Sequence, residues 1–185
     1  ILAREKITQG NCSINVRLAT TRCTNALLEK TGIKPLLFIT AGFSDLVEIG
    51  DQRRIGLFDL IPRKRKSFAG PVIEVAERMD RDGTPSGTPE LQKIIKSAQL
   101  YRESGYKVAV VSFLNSYINN ENESILVKEL EKLGFQIVIG PADLHPFIKL
   151  LPRCESAVLE AYLYPVLDEY LNNIIIGLGK SAQLF

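Results

Sequence analysis

The stretch Lys107-Val-Ala-Val-Val-Ser-Phe-Leu114 is almost continuously apolar, as is typical of a strand that is covered on both faces. A helical pattern precedes it, which begins at Thr88-Pro89 and repeats apolar residues every three to four positions up to Tyr101. A second helical pattern from Ile125 to Leu133 and a second strand over residues 135–139 follow it. This alternation of helix and strand calls for parallel strands joined by crossovers. The fold class is therefore α/β, with a mixed or parallel sheet and flanking helices.

The rest of the chain continues the same kind of pattern. The upstream strands are expected over residues 13–18, at Leu36–Thr40 and around 72–76, and a turn over 80–83. Short helices are expected over 24–29, with Gly32 as C-cap, and over 44–49. A long helix is expected over 156–176, bent at Pro165.

The length of the chain favours one domain over residues 1–185, with two small lobes as the alternative, and its composition is that of a soluble globular protein. The chain has 45% apolar and 24% charged residues and a net charge of +2, which does not point to nucleic acid or membranes. Three widely spaced cysteines form neither a disulfide framework nor a zinc pattern, and no apolar run is long enough to span a membrane. A cytoplasmic location is therefore expected. The carboxyl-terminal helix, residues 155–176, is expected to pack on this domain or on a missing lobe.

Several hydroxyl and amide side chains lie at the junction between the first predicted strand and the helix that follows it. They are Thr20, Thr21, Thr24 and Asn25. Donors at such a junction suit a phosphate, a carboxylate or an imide carbonyl. Each helix-terminus interaction contributes only about 0.3–1 kcal/mol, so several must converge on a ligand. The alternative is that these residues simply cap a helix, which is their commonest role.

Two neighbouring blocks carry a resemblance to a known family. They are Ala19-Thr-Thr-Arg-Cys-Thr-Asn-Ala-Leu-Leu-Glu29 and Gly42-Phe-Ser-Asp-Leu-Val-Glu-Ile-Gly50, the second continuing as Asp51-Gln52. Both resemble the amino-terminal region of the hydantoinase/oxoprolinase family, in its hydantoinase A-type subunit. The resemblance extends over residues 14–170 and implies that Thr20, Thr21, Thr24 and Asn25 bind phosphate or substrate.

Two further blocks match the family pattern less fully. Leu114-Asn-Ser-Tyr-Ile-Asn-Asn-Glu-Asn-Glu123 has asparagine, at 115 and 122, where the family has histidine. An amide cannot shuttle a proton near neutral pH, but Asn115 and Ser116 could still donate hydrogen bonds to a ligand at the end of the strongest strand. The alternative is a loop whose polar groups satisfy one another. In Pro152-Arg-Cys-Glu-Ser156, Arg153 is the best candidate for pairing with an anion.

Other reactive residues are weaker candidates, and the catalytic residues stay unassigned. Cys23 has no visible base partner, and the only histidine, His145, has apolar neighbours that favour a structural role. Asp80 and Asp82 lack the remaining spacing of a calcium loop. The run Arg63–Lys66 has no interleaved aromatic residues and is expected to be a solvated loop. No metal site is expected.

The family resemblance implies an activity and its requirements. It implies part of a lobe of an actin/hexokinase-like ATPase, with ATP and Mg²⁺ as cofactors, a small cyclic amide such as hydantoin or 5-oxoproline as substrate, and a partner subunit or second lobe. The first phosphate-binding hairpin of the family is absent before Ile14. We therefore hypothesise a fragment or degenerate form of a hydantoinase A-type subunit that is inactive alone. The alternative is a non-catalytic α/β module that binds another protein.

Overall fold

The chain is divided into two compact units. The computed structural model describes residues 14–51, 66–144, 147–178 and 182–184. The larger unit is Ile33–Tyr162, and the smaller unit combines Ile1–Gly32 with Leu163–Phe185. The expectation of a single domain over residues 1–185 stays a prediction.

The elements alternate as the sequence indicates. In chain order they are β1 (Ile14–Val16), α1 (Arg22–Glu29), β2 (Leu36–Thr40), α2 (Leu46–Ile49), β3 (Val72–Val75), β4 (Arg78–Met79), β5 (Pro85–Gly87), α3 (Leu91–Glu103), β6 (Val108–Ser112), α4 (Glu121–Lys132), β7 (Ile137–Ile139), α5 (Pro141–Leu144), α6 (Leu150–Leu178) and β8 (Ala182–Leu184).

A parallel four-stranded sheet forms the centre of the larger unit. Its order is β3-β2-β6-β7, and every neighbouring pair is parallel. The chain leaves β2 toward β3 on one side, whereas it leaves β6 toward β7 on the other. The strand order therefore reverses between β2 and β6, which is where open α/β sheets bind their ligands. The predicted α/β class with a parallel sheet and flanking helices is confirmed.

Helices cover both faces of this sheet. Alternate residues of a strand point to opposite faces, so Leu36 and Phe38 of β2 join a cluster with α3 and α4. Leu37 and Ile39 join a second cluster with the first half of α6. All five residues of β2 and of β6 are buried. Burial on both faces explains why these two strands read as continuous apolar runs.

The smaller unit holds α1, the second part of α6 and a parallel pair of strands. Ile14 of β1 is in register with Ala182 of β8. The guanidinium of Arg22 lies 4.7 Å from the centre of the Tyr170 ring, which connects α1 to α6 by a cation–π contact.

Several helix boundaries differ from the sequence-based expectations. Helix α1 begins at Arg22, two residues earlier than expected, and ends at Glu29 as expected. Its C-cap is Lys30 rather than Gly32, because Lys30 itself adopts the left-handed conformation (φ 58°) and its N–H donates to the Ala26 carbonyl. Helix α3 begins at Leu91, two residues after the proline. Helix α6 begins at Leu150 and continues through Pro165, since burial of its first turns against the sheet favours a longer helix than the local pattern indicates. Among the described residues, no helix combines the length and apolar character that a membrane span requires.

Candidate functional site

The carboxyl ends of β2, β3 and β6 bring a cluster of polar side chains together. Thr40 is the last residue of β2, and Glu77 follows β3 by two residues. Asn122 and Glu123 lie in the first turn of α4, which follows β6. These four side chains are between 1% and 3% exposed, so each needs an internal hydrogen-bond partner. We call Thr40, Glu77, Asn122, Glu123 and Arg153 the sheet-edge cluster.

A chain of hydrogen bonds occupies the place where the strand order reverses. The main-chain N–H of Leu114 donates to Thr40 Oγ1 over 2.8 Å, and the Thr40 hydroxyl donates to Glu77 Oε1. Asn122 Nδ2 donates to Glu77 Oε2 over 3.1 Å. The loop after β6 is therefore tied to β2 and to the residues after β3 by side chains rather than by strand pairing.

The carboxyl group of Glu77 is buried without an ion-pair partner among the described residues. Burial raises its pKa above the ordinary glutamate value of 4.5, because the charged form loses its hydration. The hydrogen bonds from Thr40 and Asn122 and the charge of Arg78 oppose that rise but do not cancel it.

The peptide groups of Phe113 are held by two buried charged side chains. Glu123 Oε2 accepts the Phe113 N–H over 3.1 Å, and its Oε1 accepts the N–H of Ala142 over 2.9 Å. On the other side, Arg153 Nη2 donates to the Phe113 carbonyl over 2.5 Å and Nη1 donates to the Phe147 carbonyl over 2.7 Å. The two side chains thus fix the point at which the chain leaves β6.

Burial opposes charge on both of these side chains. It raises the pKa of Glu123, although the N–H donors, Ser116 and the charge of Arg153 oppose the rise. It also lowers the pKa of Arg153, while the charge of Glu123 opposes that fall. The Arg153 guanidinium lies 5.7 Å from the centre of the Tyr117 ring, and its Nε has no hydrogen-bond partner within the described part of the chain. Arg153 therefore acts here as an internal brace.

The loop after β6 has an unusual backbone and makes contacts of its own. Asn115 has φ 56°, a left-handed conformation that asparagine tolerates better than most residues. Its Nδ2 donates to the carbonyl of Met79 over 2.9 Å. The Ser116 hydroxyl donates to the Phe113 carbonyl over 3.0 Å. Both side chains are thus engaged by neighbouring main chain.

A buried thiol of α6, that of Cys154, lies in the apolar cluster that includes Val108 and Val110 of β6. Cys154 is fully buried, and burial raises the pKa of its thiol to about 12. Ser112 lies close enough to oppose that rise, yet its hydroxyl makes no hydrogen bond of normal geometry with the described residues. A thiol that stays protonated is a poor nucleophile, so Cys154 is part of the core.

The residues predicted from the sequence fall into two groups. In the larger unit, Ser116 and Arg153 both donate to the Phe113 carbonyl, whereas Asn115 donates to the Met79 carbonyl. The other four, Thr20, Thr21, Thr24 and Asn25, lie in the smaller unit, so a common cleft stays a prediction. All four are exposed.

The start of α1 presents exposed hydroxyl and amide groups of the kind that bind an anion. Thr21 is the N-cap residue but makes no side-chain capping bond, and the first turn has no acidic residue. The Arg22 N–H donates to the Thr20 hydroxyl over 3.2 Å. The side chains of Thr24 and Asn25 are exposed in the same turn. Capping and ligand binding both stay possible roles for this turn on chemical grounds.

Sequence reasoning missed Thr40 and Glu77 and did not assign roles to Asn122 and Glu123. Thr40 and Glu77 are 37 residues apart, so no local spacing connects them. The signal that could have found Thr40 is its position as the polar end of an apolar strand. Glu77 had only the weak signal of an acid directly after a strand.

The remaining candidates have bland surroundings or lie outside the described residues. Asp80 and Asp82 belong to a turn, in which Asp82 Oδ1 accepts the N–H of Thr84 over 3.0 Å. No metal-binding group of three or more histidine, cysteine or acidic side chains exists within the described ranges. Cys23 is half-buried. His145 and residues 63–65 of the basic run lie outside the described residues.

The comparison with protein families decides the relationship of the chain. The model described as "Hydantoinase/oxoprolinase N-terminal region" matches residues 2–134. This chain belongs to that family. The resemblance predicted from the blocks near residues 19–29 and 42–50 is therefore confirmed.

Named relatives share most of this hydantoinase/oxoprolinase N-terminal region. The chain is 31% identical over 196 residues to the 5-oxoprolinase of Saccharomyces cerevisiae, covering 91% of this chain and 15% of that protein. It is 28% identical over 177 residues to the caprolactamase subunit alpha of Pseudomonas jessenii, covering 89% of this chain and 24% of that subunit. The chain thus spans a small part of the length of these relatives.

Two solved structures share the fold of this hydantoinase/oxoprolinase N-terminal region. The ATP-dependent caprolactamase of Pseudomonas jessenii aligns with a TM-score of 0.78 at 23% identity, over 98% of this chain and 28% of that one. A nucleotide-free acetone carboxylase aligns with a TM-score of 0.72 at 24% identity, over 89% of this chain and 26% of that one. At this identity the likeness concerns the fold alone.

Proposed function

We propose that this chain is the N-terminal region of an enzyme that opens small cyclic amides, such as hydantoin or 5-oxoproline, at the expense of ATP. The observation that carries the proposal is membership of the hydantoinase/oxoprolinase family over residues 2–134. The names of the relatives, 5-oxoprolinase and caprolactamase subunit alpha, support the cyclic amide as the substrate class. The remaining part of such an enzyme would be a second ATPase lobe or a partner subunit.

The start of α1 is the part of the chain that fits a nucleotide phosphate. Thr20, Thr21, Thr24 and Asn25 offer exposed donors there, and no acidic side chain lies in the first turn. Bound ATP with Mg²⁺ would supply a phosphoryl group that activates the amide carbonyl toward water. The protein residues would orient the phosphate, and helix N–H groups would stabilise negative charge. The actin-like character of the lobe and a cytoplasmic location are parts of the same proposal.

The sheet-edge cluster fits a nucleotide phosphate poorly. Glu77 and Glu123 would repel it, and both terminal nitrogens of Arg153 already donate to carbonyls. We therefore assign this cluster to holding the loop after β6 in place. Asn115 and Ser116 could turn toward a ligand only by giving up their present main-chain contacts.

The hydrogen bonds made by Glu77 and Glu123 also support the proposal that the chain has no catalytic activity on its own. Its buried acids accept hydrogen bonds from neighbouring main chain or side chains, so neither is free to act as a base. Incubation of the purified chain with ATP, Mg²⁺ and 5-oxoproline or hydantoin should yield no ring-opened product by mass spectrometry. Ring-opened product from the chain alone would contradict this silence.

A chimera tests the family reaction itself. The matching region of the Saccharomyces cerevisiae 5-oxoprolinase would be replaced by this chain, with a deletion of the same region as the control. We expect ATP-dependent formation of glutamate from 5-oxoproline by the chimera and none by the deletion. A folded chimera that binds ATP but leaves 5-oxoproline intact would count against the proposed substrate class.

A second candidate function, a module that binds another protein, is favoured by the end of α6. Ile175 and Ile176 are 51% and 79% exposed there, and Tyr164 is 45% exposed. Light scattering on a sizing column distinguishes this function, because an apolar docking face should lead to association at high concentration. A strict monomer at all concentrations would argue against it.

A further inference from the structure

The β4–β5 hairpin is a separate element beside the four-stranded sheet. Within the part of the chain that the structure describes, its two strands pair only with each other, antiparallel, with an irregular register at Arg78 and Met79. Its turn is held by local bonds, including Asp80 N–H to the Thr84 carbonyl over 2.9 Å. Most of its residues are exposed. Met79 is the exception, at 1% exposure.

Three asparagine side chains fasten this hairpin to the segment after β6. Asn115 Nδ2 donates to the Met79 carbonyl over 2.9 Å, at the start of the hairpin. Asn119 Nδ2 donates to the Gly83 carbonyl over 3.0 Å, at its tip. Asn122 Nδ2 donates to the Gly87 carbonyl over 3.0 Å, at its end. The hairpin is therefore held along its whole length by side-chain amides and by one buried apolar side chain.

The end of the hairpin and the buried carboxylate share one donor. Asn122 Nδ2 bonds both the Gly87 carbonyl and Glu77 Oε2, and both Asn122 and Glu77 are 3% exposed. Glu77 directly precedes β4, so the hairpin leaves the sheet at the residue whose carboxylate is enclosed. Movement of the hairpin away from Asn122 would uncover that carboxylate and the polar end of β2.

We propose that the β4–β5 hairpin is a strap that opens as a unit about Glu77 and Thr88, and that its opening exposes the sheet-edge cluster while the four-stranded sheet stays folded. The physical basis is a contrast in how the parts are held. The sheet is held by strand pairing and two apolar clusters. Among the described residues, the hairpin is held by three neutral amide bonds, by Met79 and by a cation–π contact of Arg78 with the Phe43 ring at 5.9 Å. Elements with few buried apolar contacts open before the core does. This inference holds whatever the substrate is.

Met79 gives a direct readout, because it is the only methionine of the chain. Its thioether can be oxidised by hydrogen peroxide only when the strap opens. Cys154 is fully buried in the core and reports opening of the sheet through alkylation. Peptide mapping by mass spectrometry follows both residues in the same 185-residue chain.

The test uses two variants that remove one fastening amide each. Asn119→Ala removes the amide at the tip, and Asn115→Gly removes the one at the start while suiting the left-handed backbone at that position. Gln99→Ala is the matched control, since Gln99 Nε2 donates to Glu103 on the exposed face of α3. We expect Met79 oxidation to accelerate about twofold to tenfold in each variant, with Cys154 alkylation and the control unchanged.

Other outcomes overturn the strap. Equal acceleration at Met79 and Cys154 would mean that the hairpin opens only with the whole fold, and unchanged Met79 oxidation would mean that the amides do not hold it. If the variants do not fold, the same question can be answered with the unaltered chain, by measuring both reaction rates at low urea concentrations. Met79 oxidation should then depend on urea much less steeply than Cys154 alkylation, and equal steepness would reject the proposal.

Discussion

At the scale of single residues, the backbone at Phe113 illustrates how buried charge is used in this protein. Glu123 accepts the N–H and Arg153 binds the carbonyl of the same residue. Each charge on its own would be costly in the interior, yet Glu123 satisfies the Phe113 N–H, and Arg153 shares the Phe113 carbonyl with the Ser116 hydroxyl. The consequence is a fixed exit from β6 at the edge where the strand order reverses.

The Glu123→Gln substitution tests this arrangement. Glutamine keeps the size of the side chain but turns an amide toward one of two N–H donors, those of Phe113 and Ala142. We expect the free energy of unfolding to fall by about 1–3 kcal/mol, measured by urea denaturation. Glu121→Gln, on the exposed side of the same helical turn, is the control and should change it by less than about 0.5 kcal/mol. Equal effects of the two substitutions would refute the role of Glu123.

Glu77 leads to a prediction about pH. Its pKa is raised in the folded state, so above the ordinary glutamate value of 4.5 the folded chain binds more protons than the unfolded chain. The contribution of Glu77 to stability is therefore lost as pH rises from about 4.5 through the folded pKa. The pKa values of Glu74 and Asp82 are lowered, so those groups act in the opposite direction and at lower pH.

The variant Glu77→Gln isolates this contribution. Unfolding free energies measured from pH 4.5 upward should fall less steeply for the variant than for the unaltered chain, because the titrating group has been removed. Glu90→Gln is the control, since Glu90 is exposed near the start of α3. Parallel curves for Glu77→Gln and the unaltered chain would show that Glu77 does not titrate differently on folding.

At the scale of elements, the helix ends show which local rules decide the structure. Gly134 follows α4 with φ 84°, a left-handed conformation that glycine adopts without strain and that commonly ends a helix. Lys30 does the same after α1 although it is not glycine. Helix α6 accommodates Pro165, because packing of its first half against the sheet outweighs one missing hydrogen bond. Packing therefore overrides local preference where the buried area is large.

Two glycine-to-alanine substitutions should change the free energy of unfolding in opposite directions. Gly134→Ala should lower the free energy of unfolding by about 1 kcal/mol, because alanine resists the left-handed backbone. The added methyl group itself would meet Arg102 Nη2 only at an ordinary 3.7 Å, so crowding is not the cause. Gly177 lies near the end of α6, and a methyl group added there would meet no atom of another part of the described structure within 4 Å. Gly177→Ala should therefore raise the free energy of unfolding by up to about 0.5 kcal/mol, because alanine favours the helix more than glycine does. Thermal melts of both variants measure these effects, and effects of equal sign would contradict the argument.

At the scale of the whole molecule, the larger unit contains what a domain needs. The four-stranded sheet and every member of both apolar clusters lie within residues 33–162. Its two ends are joined by a hydrogen bond from the Ile33 N–H to the Tyr162 carbonyl over 3.1 Å. Adjacent ends are typical of an independent domain.

Residues 33–162 expressed alone should therefore fold. We expect a single cooperative thermal transition and dispersed amide resonances in an NMR spectrum, since the apolar surface that drives folding stays buried. The 185-residue chain serves as the reference for both measurements. A non-cooperative melt with collapsed resonances would show that the smaller unit is required for the fold.

The candidate site could be predicted only in part. Asn115, Ser116 and Arg153 carried signals of position and family pattern; Ser116 and Arg153 share the Phe113 carbonyl and Asn115 donates to Met79, while their role as a binding site stays a prediction. Thr40 and Glu77 carried only weak signals of position, and nothing in the sequence paired them, because their contact joins residues that are 37 positions apart. Whether Thr21 and its neighbours share a ligand with the larger unit stays a prediction.

The sequence by itself determined the α/β class, the positions of the central strands and the family, because apolar periodicity and short motifs are local properties of the chain. The tertiary structure decided the strand order and which buried polar groups became partners. Those partnerships form only when the carboxyl ends of parallel strands converge on one edge, and the need to satisfy every buried donor and acceptor then selects them.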